Sequence, residues 1–411
     1  MSKNEIISVF EHGYLSLDKD VFERLSKFHQ DKGNDRYFDL YHNAVKFKEY
    51  VGVIQVGNVT IEVLPKADKN AADEDKGKWR DVLINMLRTV GGFNVFAPTE
   101  SSLNIKPNSI LDLYFEIFVQ NVEYLLHTGL VKKYRRVEGN RFALKGSLNF
   151  AKNIQQNLIH KERFYVNYTT YDTVHDLHKI LYKALKLLML INTNPILQSR
   201  IGSLMLNFPE MPDIKVSDKT FDAIVFDRKT EGYKNAVSIA RLLLLQYHPD
   251  LSGGRNHVLA LMFDMNLLWE KFVYVSLAKK LKGFTVRDQV RKKFWGFGAQ
   301  GRERGVNIIP DILIARPGEK CVVLDTKWKN IQDSGPVSAD LQQLYSYSRF
   351  FDARKVALVY PGDGDPRPGF FLKETDESFD RECSVIRLEV ANDLKKWQQS
   401  IADRVKDWIG E

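Results

Sequence analysis

The chain has 411 residues, 44% of them hydrophobic and 27% charged, and its 60 Lys and Arg against 52 Asp and Glu give a formal net charge of +8. That length holds two or three domains with sizeable cores, and the balance excludes a disordered or fibrous chain. The mild basic excess is compatible with a polyanionic partner without requiring one. Two cysteines, Cys321 and Cys383, offer neither a disulfide framework nor a zinc site. No apolar run reaches membrane-spanning length, and the opening MSKNEIISVFEHGYLSLDKD lacks the apolar centre of a signal peptide. A cytoplasmic protein with no membrane partner is expected.

Residues 1 to about 105 read as mostly β. VGVIQVGNVTIEVLPK (Val51 to Lys66) alternates on both sides of Gly57-Asn58, which predicts a hairpin. The polar stretch Ala67 to Lys78 reads as a loop, and the following segment has helical spacing, with Trp79, Leu83, Met86 and Leu87 on one side. A long helix is predicted from Ser109, a potential cap, to Leu130. Val131 to Phe150 should be two extended segments joined by a turn at EGNR. With Lys132, Lys133, Arg135, Arg136, Arg141 and Lys145 it is the most basic stretch of the front half, either a solvated hairpin or a contact to phosphate or to an acidic partner. Residues 174–192 and 235–248 read as amphipathic helices of a connector. Asp172, His175, Asp176 and His178 cluster there, but without a sustained ligand motif they are better read as polar residues at a helix start than as a metal site.

The last third is patterned differently. His257 to Leu281 reads as a largely buried helix carrying Glu270. Then come a strand in GFTVRDQVRKKFW, a loop with Arg302 and Arg304, a strand VNIIPDILIA with Asp311, and a strand EKCVVLDTKWK with Asp325 and Lys327. The helix SADLQQLYSYSRFF and the strand Lys355 to Pro361 follow. This order implies a mixed central sheet in an α/β, multidomain α+β protein, divided as 1–150, 151–250 and 251–411. Residues from about Leu251 onward are expected to fold around that sheet on their own.

The apolar run Cys321 to Leu324 ends abruptly in charge, which is costly to bury without partners. Asp325 and Lys327 lie two residues apart and so share a face, while Thr326 points away. If the two preceding strands pair across RPGEK, Asp311 lies beside Asp325. The two carboxylates would then raise each other's pKa unless a cation sits between them. Oxygen ligands of this kind suit Mg²⁺, with Mn²⁺ as a substitute. Lys327 beside such a site could orient a water and offset charge on a phosphate. Metal-assisted phosphodiester hydrolysis is the chemistry expected, with the charged groups at a solvated sheet edge. Arg302 and Arg304 are expected to contact DNA phosphates, the alternative being a solvated loop.

Pro310-Asp311 followed by Asp325-Thr326-Lys327, with Glu270 on the preceding helix, resembles the PD-(D/E)xK nuclease pattern. Gln343 and Tyr347 form a Gln-x-x-x-Tyr similar to the RecB-type branch of those nucleases. Beyond this, VGVIQVGNVTIEVLPK, FDMNLLWEKFV, PDILIA, VVLDTKWK and DLQQLYSY together resemble the McrC subunits of McrBC-type modification-dependent restriction systems. The resemblance implies an endonuclease that docks through its N-terminal part on, and stimulates, a hexameric AAA+ GTPase ring (McrB-like). Its substrate would be double-stranded DNA bearing modified cytosine. It further implies Asp311, Asp325 and Lys327 as catalytic residues supported by Glu270 and Gln343, with Asp311, Asp325, Glu270 and the Thr326 backbone carbonyl facing the metal. The chain has no Walker A motif, so GTP is expected to enter only through the partner. The alternatives are a stand-alone repair or defence nuclease of the same superfamily, and a protein that mainly docks on and activates a nucleotide-hydrolysing ring.

Overall fold

A computed structural model of the chain describes residues 5–30, 34–66, 75–90, 110–248, 258–297, 304–329, 335–373 and 379–410. Gly57 and Asn58 reverse the chain between the antiparallel strands Tyr50–Val56 and Val59–Leu64, with Gly57 at a φ of 59° that its missing Cβ permits. Strand Glu5–Phe10 adds to this hairpin in parallel, alongside Val59–Leu64. The other edge of the hairpin is taken by a distant segment, Val258–Asp264, antiparallel to Tyr50–Val56. The strands approach so closely that a Cβ on Gly52 would lie 2.1 Å from the Leu261 carbonyl oxygen, and Gly52 has a φ of +138°. Phe28, Tyr37, Phe38, Phe47, Ile54 and Ile61 build the core on this sheet.

The strand Val258–Asp264 corrects the expected helix from His257. The helix runs only from Met265 to Lys280, and Asp264 caps it by accepting from the Asn266 and Leu267 N–H groups at 2.9 and 3.2 Å. An apolar run of this length has no period that tells a buried strand from a buried helix. The expected strand over 283–295 is also two, Thr285–Asp288 and Lys292–Phe297, parted where Gln289 takes a φ of 48°. Likewise VNIIPDILIA is broken around Pro310, which has no N–H to give a ladder, into Arg304–Ile308 and Ile312–Ala315. Lys292–Phe297 and Arg304–Ile308 form a separate two-stranded hairpin.

The second sheet has six strands in the order Thr285–Asp288, Ile312–Ala315, Val322–Thr326, Lys355–Pro361, Phe379–Leu388 and Phe370–Leu372. The first three are antiparallel, and the next two continue in parallel. Helix Ser338–Phe350 packs on one face through Leu344 and Tyr347 against Val323, Val356 and Leu358. Helix Met265–Lys280 packs against both Lys76–Val90 and Leu394–Ile409, with Trp269, Phe272 and Trp397 wholly buried.

Residues Met1–Phe93 and His248–Glu411 group into one compact unit, and Asn94–Tyr247 into another. These units cut across the sequence segments 1–150, 151–250 and 251–411, because strand 258–264 joins a sheet begun at residue 5. In the second unit, helices Ile110–Thr128, Asp176–Ile191, Pro195–Asn207 and Lys234–Leu245 accompany a three-stranded sheet. Lys133–Arg141 is one strand running straight through EGNR, paired with Phe164–Asp172, so no turn occurs there. The side chain of Arg135 is tied to Asp172 at 3.0 Å, and that of Arg141 donates to the Tyr168 hydroxyl. His178 is wholly buried, bonded to the Thr173 carbonyl and the Tyr233 hydroxyl, as suits a structural residue. Among the described residues no helix is long and apolar enough to cross a membrane.

Candidate active site

The antiparallel pairing of Ile312 with Leu324 brings Asp311, one residue before its strand, to the end of Val322–Thr326 where Asp325 stands. Asp311 Oδ2 accepts from the Thr326 backbone N–H at 2.7 Å and from the Thr326 hydroxyl at 2.9 Å. Thr326 thus orients the first carboxylate, while alternation sends Asp325 and Lys327 to the other face. Lys327 Nζ lies 2.7 Å from Asp325 Oδ2 and 4.0 Å from Asp340 Oδ1.

Asp325 is 0% exposed and stands on an interior strand of the six. This overturns the expected solvated edge: the charges end a strand whose neighbours continue on both sides. Burial, followed by the nearby Asp311 charge, pushes the Asp325 carboxyl up to about 7. Burial also raises Asp311, and burial and then Asp311 raise Glu270. For Lys327, burial disfavours the ammonium, but Asp325 together with Asp311 and Asp340 outweighs it and the pKa rises. Lys327 therefore stays charged beside carboxyls that hold protons more tightly than usual.

Lys327 Nζ also donates to Gln343 Oε1 at 3.5 Å, Gln343 Nε2 donates to the Tyr347 hydroxyl at 2.6 Å, and that hydroxyl donates to the Ile309 carbonyl at 2.9 Å. The Gln-x-x-x-Tyr pair spans one helical turn and links the lysine to the segment that presents Asp311. Glu270, on helix Met265–Lys280, accepts from Gln289 Nε2 at 2.6 Å. Arg302 lies outside the described residues, as does the side chain of Arg304, which opens strand Arg304–Ile308.

Asp325 Oδ1 is buried and has no hydrogen-bond partner among the described residues, an arrangement that suits a cation ligand. Among those residues no three His, Cys, Asp or Glu side chains group closely enough to hold an ion by themselves. Two carboxylates, a backbone carbonyl and waters are the donor set Mg²⁺ accepts, so the residues fit that ion better than a closed protein cage would. Sequence reasoning missed Asp340, although it shares a helix face with Gln343 three residues on. It also missed Gln289 and Trp328, whose relevant partners, Glu270 and Glu11, are remote in the chain.

Residues 45–361 match the family described as McrBC 5-methylcytosine restriction system component. The chain is similar to one in the tetradecameric assembly of Thermococcus gammatolerans McrB AAA+ hexamers with bound McrC. That likeness has 20% identity and a TM-score of 0.68, and covers 98% of this chain and 100% of that one. It is also similar to a chain of the Thermococcus gammatolerans McrBC complex, at 21% identity and a TM-score of 0.51, over 69% of this chain and 89% of that one. No curated protein matches it. At such identities the likeness is one of fold, and it agrees with the mixed α/β architecture.

Proposed function

This chain belongs to the family of McrBC 5-methylcytosine restriction system components, and from that premise we propose that it is the subunit that cuts DNA while docked on an AAA+ GTPase ring. The observation that carries the reading is Lys327 held 2.7 Å from the buried Asp325, next to Asp311 anchored by Thr326. A bound Mg²⁺, or Mn²⁺ in its place, would be held by Asp311, Asp325 and the Thr326 carbonyl, with Glu270 close by, and would polarise the scissile phosphate. The chain's own part is electrostatic and positional. The Lys327 ammonium orients the attacking water and offsets the charge that grows on the phosphate oxygens. Gln343 and Tyr347 restrain the lysine so that little reorganisation is needed during the reaction. Arg302 and Arg304 contribute phosphate contacts.

Docking has separate support. Phe142, Leu144, Phe150, Ile154, Leu158 and Ile159 are 61–88% exposed within a short span of the second unit. Apolar groups clustered in this way mark a protein-interaction surface more often than a bare one. The matched solved chain comes from an assembly of McrB AAA+ hexamers with bound McrC. The partner ring would supply GTP hydrolysis and the recognition of modified cytosine.

Cleavage of duplexes with and without 5-methylcytosine tests the proposal, using this chain and the candidate GTPase with Mg²⁺, in the presence or absence of GTP. Double-strand cuts should require all components and the modified duplex. Equal cutting of both duplexes by the chain alone would contradict the docked reading.

A further inference from the structure

Glu11 directly follows strand Glu5–Phe10, and its N–H donates to the Leu64 carbonyl at 2.8 Å. Its Oε1 accepts twice, from the Lys66 N–H and from the Trp328 indole Nε1–H, each at 2.7 Å. Trp328 comes immediately after Lys327. On the other side of Lys327, strand alternation turns the indole away from Asp325 and Gln343 and toward helix Met265–Lys280. There Trp328 sits edge-on to Trp269, with ring centroids 5.4 Å apart, and edge-on to Trp79 at 6.4 Å. Its backbone N–H donates to Asn266 Oδ1 at 3.3 Å, while the Lys327 N–H is taken by the Val359 carbonyl at 2.9 Å. Trp269 in turn directly precedes Glu270.

A carboxyl is a poor choice for filling a core. Burying it is costly, and Glu11 Oε2 has no hydrogen-bond partner among the described residues. Packing alone would be served better by an apolar side chain. What the carboxyl adds is a direction: one oxygen fixes the Trp328 ring plane against the start of the chain's first sheet. With the ring fixed, the strand end beyond Thr326 has one setting, and Lys327 presents its ammonium from that setting.

We propose that Glu11 is a positioning residue for the candidate site, acting through the Trp328 indole to hold Lys327 against Asp325. The inference rests on the nuclease reading for its purpose, but the positioning itself has a readout apart from cleavage. In the full-length chain, acetylation of the Lys327 amine by acetic anhydride, followed by peptide mass spectrometry, reports how firmly the ammonium is held. Trp328→Phe removes the indole N–H and leaves the Lys66 contact intact, whereas Glu11→Leu removes both. Each should raise Lys327 labelling about fivefold or more and lower kcat for DNA cleavage about tenfold or more, with KM for DNA little changed. The double variant should be no worse than Glu11→Leu alone, because that change already removes the bond that Trp328→Phe breaks. Glu11→Gln keeps an acceptor oxygen and should restore both readouts toward wild type. Unchanged Lys327 labelling in Trp328→Phe would overturn the inference, as would a Glu11→Gln as impaired as Glu11→Leu. If labelling rises as expected but the wild-type chain cuts no DNA with its partner present, the nuclease reading fails while the positioning stands.

Discussion

Asp325 has no exposed surface, and Lys327 is the only cation within 4.0 Å of its carboxylate among the described residues. Without added metal, this carboxyl opposes folding at neutral pH, since burial and Asp311 both disfavour its charge. Asp325→Asn should therefore stabilise the metal-free protein by about 1–3 kcal/mol at neutral pH, the range allowing for the lost Lys327 partner. Urea unfolding in EDTA measures this; destabilisation of the same size would contradict it. Glu11 makes a pH-dependent prediction of the same kind. Burial raises its carboxyl from 4.5 to about 7, with bonds from Lys66 and Trp328 opposing. The raised folded pKa means that its favourable contribution is complete below 4.5 and is lost as pH rises through about 7. Glu11→Gln should gain stability relative to wild type by roughly 3 kcal/mol across that window and no further above it. A parallel pair of stability curves would show that the carboxyl does not titrate in this way. At this scale the pairing of Asp325 with Lys327 was legible because strand alternation is a local rule. The bonds from Gln289 to Glu270 and from Trp328 to Glu11 were not, because they join segments that only the tertiary fold brings together.

At the level of elements, the Gly57-Asn58 hairpin could be read directly from its turn residues and flanking alternation. Its neighbour in the sheet could not. Val258–Asp264 is apolar at nearly every position, and such a run reads equally as strand or helix until a partner is known. Polar turn residues misled in the opposite direction at EGNR, where pairing with Phe164–Asp172 keeps Glu138 to Arg141 extended. The cross-strand contact at Gly52 makes the hidden pairing testable. A Cβ there would strike the Leu261 carbonyl at 2.1 Å, and its φ of +138° disfavours any L side chain. Gly52→Ala should cost about 2–4 kcal/mol in unfolding free energy, far above a surface glycine replacement. Gly77, whose Cβ would meet nothing within 4 Å, serves as the reference substitution. Equal effects at the two positions would mean that Val258–Asp264 does not lie against Tyr50–Val56.

For the whole molecule, the compact unit that contains the candidate site is made from both ends of the chain. Helix Met265–Lys280 packs on Lys76–Val90, Asn85 Nδ2 donates to the Asn392 carbonyl at 2.8 Å, and Trp328 reaches Glu11. A mixed sheet was readable from the order of its strands as far as Lys355–Pro361, but the added strands Phe370–Leu372 and Phe379–Leu388 were not, and neither was the sheet's dependence on the first 93 residues, since no local pattern announces a partner so remote. This arrangement argues against the expectation that residues from Leu251 onward fold alone. Such a fragment exposes the edge of Val258–Asp264 and the Trp79-facing side of Trp328. It should unfold without a cooperative transition, and a sharp transition like that of the full chain would show the sheet to be self-sufficient.

The central claim, that Asp325 and Lys327 serve phosphodiester hydrolysis, is tested most directly by comparing Mg²⁺-dependent cleavage of 5-methylcytosine duplex by wild type, Asp325→Asn and Lys327→Ala. The measurement is made with the partner GTPase and GTP present, and each variant is first shown to fold and to bind the ring. Both variants should lose cleavage by at least about a thousandfold while partner binding and GTP turnover persist. Wild-type cutting by a folded Asp325→Asn protein would contradict the account.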